Sequence, residues 1–375
     1  MTPKESSPKQ VLPLIPFYPF GRLNGLSAEV AMIKAPASVP PSKKRRQSTF
    51  RRGKAILLLE RKNLLSAFLT THWPYGSTDA GRRHMEMCKR FVHHNGAERE
   101  MTSYADRLKK HLSTYKATRL GVDEHGRHRA SSRNYAHILP EHLKRLNIIE
   151  TIRTEWWDYY TENAATIGLH TDFHHLNSSQ AFGFNLLYPF AADETAGSAF
   201  LKALGLPEKK VRKWSFEHMP DPGEGTSIDL HATFDDDTRL LIEVKLTESA
   251  FGSAMENPRR LVKFTNTYMP ALAGKVKPHP VGRGEFFLNY QLMRNVSHLG
   301  HGDSLVLLLP RANRNTWSLG AEFRDKYLTE PTKAAVRIVA AEDLVRALSR
   351  AAPPRLRTHL ELLAEKYLPD LSLTP

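Results

Sequence analysis

The sequence predicts a mixed α/β fold, a central mixed sheet flanked by helices, and three observations carry that prediction. Residues 226–245 read as two β-type runs joined by a tight acidic turn, Asp235 to Thr238. Residues 304–309, Ser-Leu-Val-Leu-Leu-Leu, form a continuous apolar run of the kind found in strands buried on both faces. Helical periodicity surrounds both. The resulting order of helix, three strands, helix, strand, helix is that of an α/β protein.

Along the chain, residues 1–52 form a Pro- and Ser-rich leader, expected to be poorly ordered, whose basic end carries Lys43, Lys44, Arg45, Arg46, Arg51 and Arg52. A mainly helical, basic region follows over 53–160. Helices are expected at 54–70, 85–91 and 104–115, the last with Leu108 and Leu112 on one stripe and Lys109, Lys110 and Lys116 beside it. Residues 121–127 read as a turn-rich excursion, and Pro140 opens a helix. Another helix is expected over 147–160, with Ile148, Ile152, Trp156 and Tyr159 or Tyr160 as its apolar face. Aromatics at that spacing read as core, which assigns Trp156 and Trp157 to packing. The main domain spans 161–350. It begins with a helix capped by Asn177 or Ser178, with Phe182, Leu186 and Leu187 apolar and Gln180 and Asn185 polar. A strand over 211–218, a helix over 288–299, a strand over 335–340 and a helix over 342–348 complete it. Residues 351–375 hold a last helix, 356–367, and a tail.

Composition narrows the function. The chain has 375 residues, enough to bury a substantial core, and 54 Lys and Arg against 39 acids, a net charge of +15. That excess predicts attraction to a polyanion, with nucleic acid ahead of an anionic membrane. The single cysteine, Cys88, excludes an internal disulfide and a multi-cysteine zinc site, and a cytoplasmic setting is the natural expectation. No apolar run approaches the length of a membrane span, and the basic segments lack a clean amphipathic stripe, so no membrane partner is expected.

The hairpin at 226–245 concentrates the chemistry. Alternation puts Asp229, His231 and Thr233 on one side of its first strand, and Leu241, Glu243 and Lys245 on one side of the second. A turn centred on Asp236 sets Asp229 opposite Glu243, with Cβ atoms about 5 Å apart. Two carboxylates at that spacing repel unless a cation lies between them. Asp229, Glu243 and the backbone carbonyl of Val244 make an all-oxygen set suited to Mg²⁺, with Mn²⁺ as a substitute. Lys245 reaches the same centre, where it orients a water and stabilises a phosphoryl transition state. The plainer reading is a solvated hairpin with a weak Glu243–Lys245 pair. The apolar Ile242 and Val244 on the other face, and the run Leu240-Leu241-Ile242, argue for an interior strand instead.

An acid on one core strand followed by Glu243-Val244-Lys245 on the next resembles the signature of the PD-(D/E)xK nuclease superfamily, the restriction-endonuclease-like fold. A wider pattern is similar to a bacterial group of restriction endonucleases: the basic helix from Tyr104 with Leu108, His137 to Pro140, Asn177-Ser-Ser-Gln-Ala-Phe, and Tyr290 to Asn295. The resemblance covers roughly residues 100–350. It implies a mixed sheet of four core strands, and Mg²⁺-dependent hydrolysis of nucleic-acid phosphodiesters. Many members carry a glutamate on the first core helix as an extra metal ligand; here that helix offers Gln180, able to bind only through its amide oxygen or a water.

Gln291 and Arg294, i and i+3 on the following helix, share a face. The resemblance implies a glutamine near the active centre on that helix, and Arg294 is a candidate phosphate clamp. His231 is a candidate substrate contact, and Lys109, Lys110, Arg51 and Arg52 are candidate backbone contacts. His170, His174 and His175 lack the cysteine partners of a typical zinc site and read as loop or contact residues. The resulting expectation is a metal-dependent DNA endonuclease of restriction or defence type, acting on double-stranded DNA as a homodimer. A nicking or repair nuclease of the same fold, or a non-catalytic nucleic-acid-binding protein, are the alternatives.

Overall fold

The computed structural model describes residues 103–279, 281–371 and 373. The expectations for the basic leader, the helices at 54–70 and 85–91, Arg51, Arg52 and Cys88 lie outside these residues. Helix α1, Tyr104–Leu120, is capped by Ser103, whose hydroxyl accepts the Asp106 amide, and ends at Gly121 in the left-handed region. It runs past the expected end at 115. It buries Leu108 and Leu112 as expected, but also Lys116, whose ammonium donates to the carbonyls of Glu124 and Ile138. Lys116 is therefore a structural group rather than part of the basic stripe. Lys110 is exposed and Lys109 partly so.

The turn-rich excursion continues into a small antiparallel ribbon, β1 (Gly126–His128) and β2 (Arg133–Tyr135). Its strands are short and mostly polar, so no apolar alternation betrays them. Pro140 precedes a 3₁₀ helix, Glu141–Asn147. The next helix, α2 (Arg153–Asn163), starts later than the expected 147. The reason is polar. Asn147 donates its amide to the carbonyls of Phe173 and His175, and the Ile149 amide donates to Asn185, so this stretch is spent on tertiary contacts. Trp156 and Trp157 are buried, as expected of core aromatics.

Ser178 caps α3 (Ser179–Ala191), whose residues 180–190 are buried all round. Such a helix lies inside a protein rather than on its surface. Asp193 caps α4 (Glu194–Ala203). Then come β3 (Val211–His218), β4 (Ile228–Phe234) and β5 (Arg239–Val244). Helix α5 (Pro258–Lys263) passes through a π-turn, Phe264–Tyr268, into α6 (Met269–Leu272). Helices α7 (Arg283–Leu288) and α8 (Tyr290–Ser297) precede β6 (Ser304–Leu309). The chain ends in α9 (Arg314–Tyr327), α10 (Glu330–Ala335), β7 (Val336–Ala340), α11 (Ala341–Ala351) and α12 (Arg357–Tyr367).

The main sheet is five-stranded in the order β3-β4-β5-β6-β7, one strand more than the expected core. Its β3-β4-β5 half is antiparallel, and β5-β6-β7 is parallel. One face, with Leu230, Ala232, Leu240, Ile242, Val244, Val306 and Leu308, packs on a cluster that includes Leu108, Trp156, Phe182, Phe184 and Leu360. The other, with Leu241, Leu305, Leu307 and Leu309, packs on Phe286, Leu292, Met293, Val296 and Phe323. Strand β5 lies in the middle of the sheet and is covered on both sides, which explains its nearly unbroken hydrophobicity.

Candidate active site

The hairpin register places the two acids as the alternation predicts. Leu230 pairs with Ile242 and His231 with Leu241, so Asp229 falls at the position facing Glu243. The ladder stops there. The Lys245 amide donates to Leu308 of β6, so alternation turns the Val244 peptide the other way, toward β4. The Val244 amide then donates to Asp229 Oδ2 at 2.6 Å instead of to a strand carbonyl. The Asp229 side chain thus fills the fork where β4 and β5 part.

Glu243 is 2% exposed and Lys245 9% exposed, and both lie at the end of the central strand. Glu243 Oε1 accepts Lys245 Nζ at 2.9 Å and Gln291 Nε2 at 2.7 Å, while its Oε2 accepts Asn295 Nδ2 at 3.0 Å. Buried charge requires this degree of pairing. Helix α8, beyond the Glu-x-Lys strand, thus brings Gln291 against Glu243. Asn295, one helical turn on, was not singled out in the sequence, although i, i+4 spacing puts it on the same face of α8.

A third acid joins them. The pairs Phe216–Leu230 and His218–Ile228 bracket Glu217, placing it across β4 from Asp229 on the side away from Glu243. Glu217 has φ 47, a left-handed conformation that is costly for a non-glycine residue within a strand. Its carboxylate is buried and accepts Gln180 Nε2 at 2.7 Å and Ser227 Oγ at 2.9 Å. The Gln180 oxygen accepts the His170 amide at 2.9 Å, which fixes the side-chain orientation, and Nε2 also donates to the Gly168 carbonyl. Gln180 thus presents its amide group to Glu217 and not its oxygen to the site centre. No spacing rule connects Glu217 to Asp229 in the sequence, because the long 219–227 connection hides their register.

The electrostatics follow from this crowding. Burial, then the neighbouring charges of Glu243 and Glu217, push the Asp229 carboxyl well above the usual range, against the pull of Lys245 and the Val244 amide. Burial raises the Glu217 carboxyl too, partly offset by Gln180 and Ser227. Burial works to neutralise Lys245, but Glu243 and Asp229 outweigh it and hold the ammonium more firmly protonated than usual.

Two other candidates do not contact these acids. Arg294 Nε donates to Glu224 Oε1 at 2.7 Å, and its side chain is only 18% exposed. Buried Glu224 also accepts the Thr226 amide, the Tyr268 hydroxyl and His298. His231 is buried with its ring 4.3 Å from that of His218, and among the described residues its Nε2 has no hydrogen-bond partner. Burial and the nearby positive groups push it down to about 4, which leaves it neutral at pH 7. Sequence reasoning had no signal for Glu224, which sits in the loop Asp-Pro-Gly-Glu-Gly.

The fold is thus a helix-flanked mixed sheet whose central strand ends in a buried acid–lysine pair, faced by a second acid. The family comes from comparison. Residues 109–368 match the family described as "Restriction Endonuclease associating with ARP", and the chain belongs to that family. Membership places it among proteins described as restriction endonucleases, and thus in the nuclease class. No curated protein and no solved structure matches it.

Proposed function

We propose that this protein is a metal-dependent endonuclease that hydrolyses DNA phosphodiester bonds in restriction or defence, with Asp229, Glu243 and Lys245 at its centre. The observation that carries this reading is the buried Glu243–Lys245 pair at the end of the central strand, faced by Asp229 in the fork. Burial, and then the charges of Glu243 and Glu217, raise the Asp229 carboxyl, and a cation between the acids would relieve that repulsion.

The donor set suits a hard divalent cation. Asp229 and Glu243 would hold it, with the Val244 carbonyl turned to the same side, and the oxygen-only set favours Mg²⁺ or Mn²⁺. Among the described residues, no group of three or more His, Cys, Asp and Glu side chains is already arranged around one point. Glu243 accepts three hydrogen bonds, two on Oε1 and one on Oε2, and a carboxylate offers about four acceptor sites, so Oε2 keeps room for a cation while Lys245 stays in place. When bound, the cation supplies Lewis acidity and lowers the pKa of an attacking water. Lys245 donates to the charge developing on the phosphoryl group, and Gln291 and Asn295 keep Glu243 aimed. Glu217 adds negative charge on the far side of Asp229, with Gln180 as its brace.

The test is cleavage of plasmid and phage DNA with Mg²⁺, Mn²⁺ or EDTA. Discrete, metal-dependent fragments support a restriction enzyme. Nicking alone supports the repair reading, and salt-sensitive binding without cleavage of unmodified, modified or single-stranded DNA supports a binding protein.

A further inference from the structure

The acids and lysine supply chemistry but no means of gripping a duplex; the β1–β2 ribbon is a separate two-stranded sheet outside the main one. Residues 125–145 around it hold five Lys and Arg against one acid. Arg127, Arg129 and Arg133 are exposed, as are Ser131, Ser132 and Asn134 around the tip. Among the described residues, Arg127 and Arg133 have no ion-pair partner. Arg129 pairs with Glu141, but both side chains are largely exposed, and such surface pairs are weak and readily exchanged. Ribbon dimensions fit a groove. Strands about 4.8 Å apart enter a major groove about 12 Å wide, and three-residue arms reach about 10 Å against a depth of about 8.5 Å.

The ribbon is also fixed to the proposed site. Gly126 approaches Leu139 so closely that a Cβ would lie 2.1 Å from its carbonyl oxygen, so only glycine fits. Ile138 bridges to His175, the Leu139 amide donates to His174, and His174 Nε2 meets the Arg127 carbonyl at 3.1 Å. Asn177, just beyond, donates to Thr247 Oγ1 at 3.0 Å, two residues after Lys245. A short, hydrogen-bonded path therefore links the ribbon to the catalytic end of the sheet.

We propose that the β1–β2 ribbon is the duplex-DNA contact of this protein, entering a groove with Arg127 and Arg133. The inference rests on the endonuclease reading and adds the element that binds its substrate. Guanidinium forks match both phosphate oxygens and guanine edges, and a two-stranded ribbon is a known groove reader.

The test compares wild type, the double variant Arg127→Ala/Arg133→Ala, and the charge-matched control Lys202→Ala/Arg350→Ala. Binding to a fluorescent duplex is measured in EDTA, so hydrolysis plays no part. The ribbon variant is expected to bind about tenfold or more weakly, with a shallower salt dependence, while the control stays within about twofold. Ribbon and control variants with equal affinity, in a protein whose wild type cleaves DNA, overturn the ribbon and leave the endonuclease standing. A wild type that neither binds nor cuts duplex overturns both, and stronger binding to single-stranded RNA overturns the duplex assignment. Should the alanine pair fail to fold, Arg127→Lys/Arg133→Lys keeps the charge and removes the fork; an unchanged affinity then counts against the proposal.

Discussion

On the proposed reading the chemistry turns on Lys245, whose ammonium is buried against Glu243. Asp229→Asn is expected to weaken Mn²⁺ binding by tenfold or more, read by electron paramagnetic resonance, because it removes a charged oxygen from the fork. Unchanged binding would remove Asp229 from the site. Glu217→Gln is expected to lower the cleavage rate about tenfold or more while leaving the melting temperature near wild type, since Gln retains bonding partners at Gln180 and Ser227. An unaltered rate would make Glu217 a packing residue. The pair Asp229 and Glu243-Val244-Lys245 was legible because strand alternation and a short turn fix the register within twenty residues of chain. Glu217 and Asn295 were not singled out. The first depends on a register set across an irregular loop, and the second needed its helix face matched to Glu243.

Helix α8 shows how an element can serve a site with two faces. Gln291 and Asn295 hold Glu243, while Arg294 and His298 hold Glu224 in the loop that leads into β4. The Glu224 carboxyl is driven below its usual range: burial opposes this, but hydrogen bonds from His298, Thr226, Tyr268 and Arg294 outweigh it. Its stabilisation is therefore present above the ordinary glutamate pKa and is lost as pH falls toward the depressed value. Arg294→Ala leaves that buried carboxylate without its cation and is expected to cost about 3–5 kcal/mol in urea unfolding. A loss of DNA affinity at wild-type stability would instead restore Arg294 as a phosphate clamp. The strands of the main sheet and helices α1, α3, α8, α11 and α12 were legible from periodicity, whereas α4 and α9 were not singled out. The late start of α2 was not legible, because Asn147 and Asn185 rather than apolar spacing set it, and the ribbon's short polar strands carry no alternation.

At the scale of the whole molecule, the site's charge couples to stability. An acid whose pKa is raised on folding favours the fold below its unfolded pKa, and that contribution is lost as pH rises through the raised value. Asp229 is such a group, with burial and the charges of Glu243 and Glu217 as the cause. The rise in melting temperature on adding Mg²⁺ is therefore expected to grow from acid to neutral pH, and to be largely lost in Asp229→Asn; a rise independent of pH and of Asp229 would place the cation elsewhere. Among the described residues no helix is long and apolar enough to cross a membrane, and the net charge of +15 fits a polyanionic substrate. Family membership gives the nuclease class, and one rate tests most directly the proposal that this site hydrolyses phosphodiesters. Single-turnover cleavage of DNA in Mg²⁺ is to be compared between wild type and Lys245→Ala, with folding checked by circular dichroism. The account predicts a loss of at least about a hundredfold, the scale of removing one donor to a developing oxyanion. Equal rates in the two proteins would contradict it.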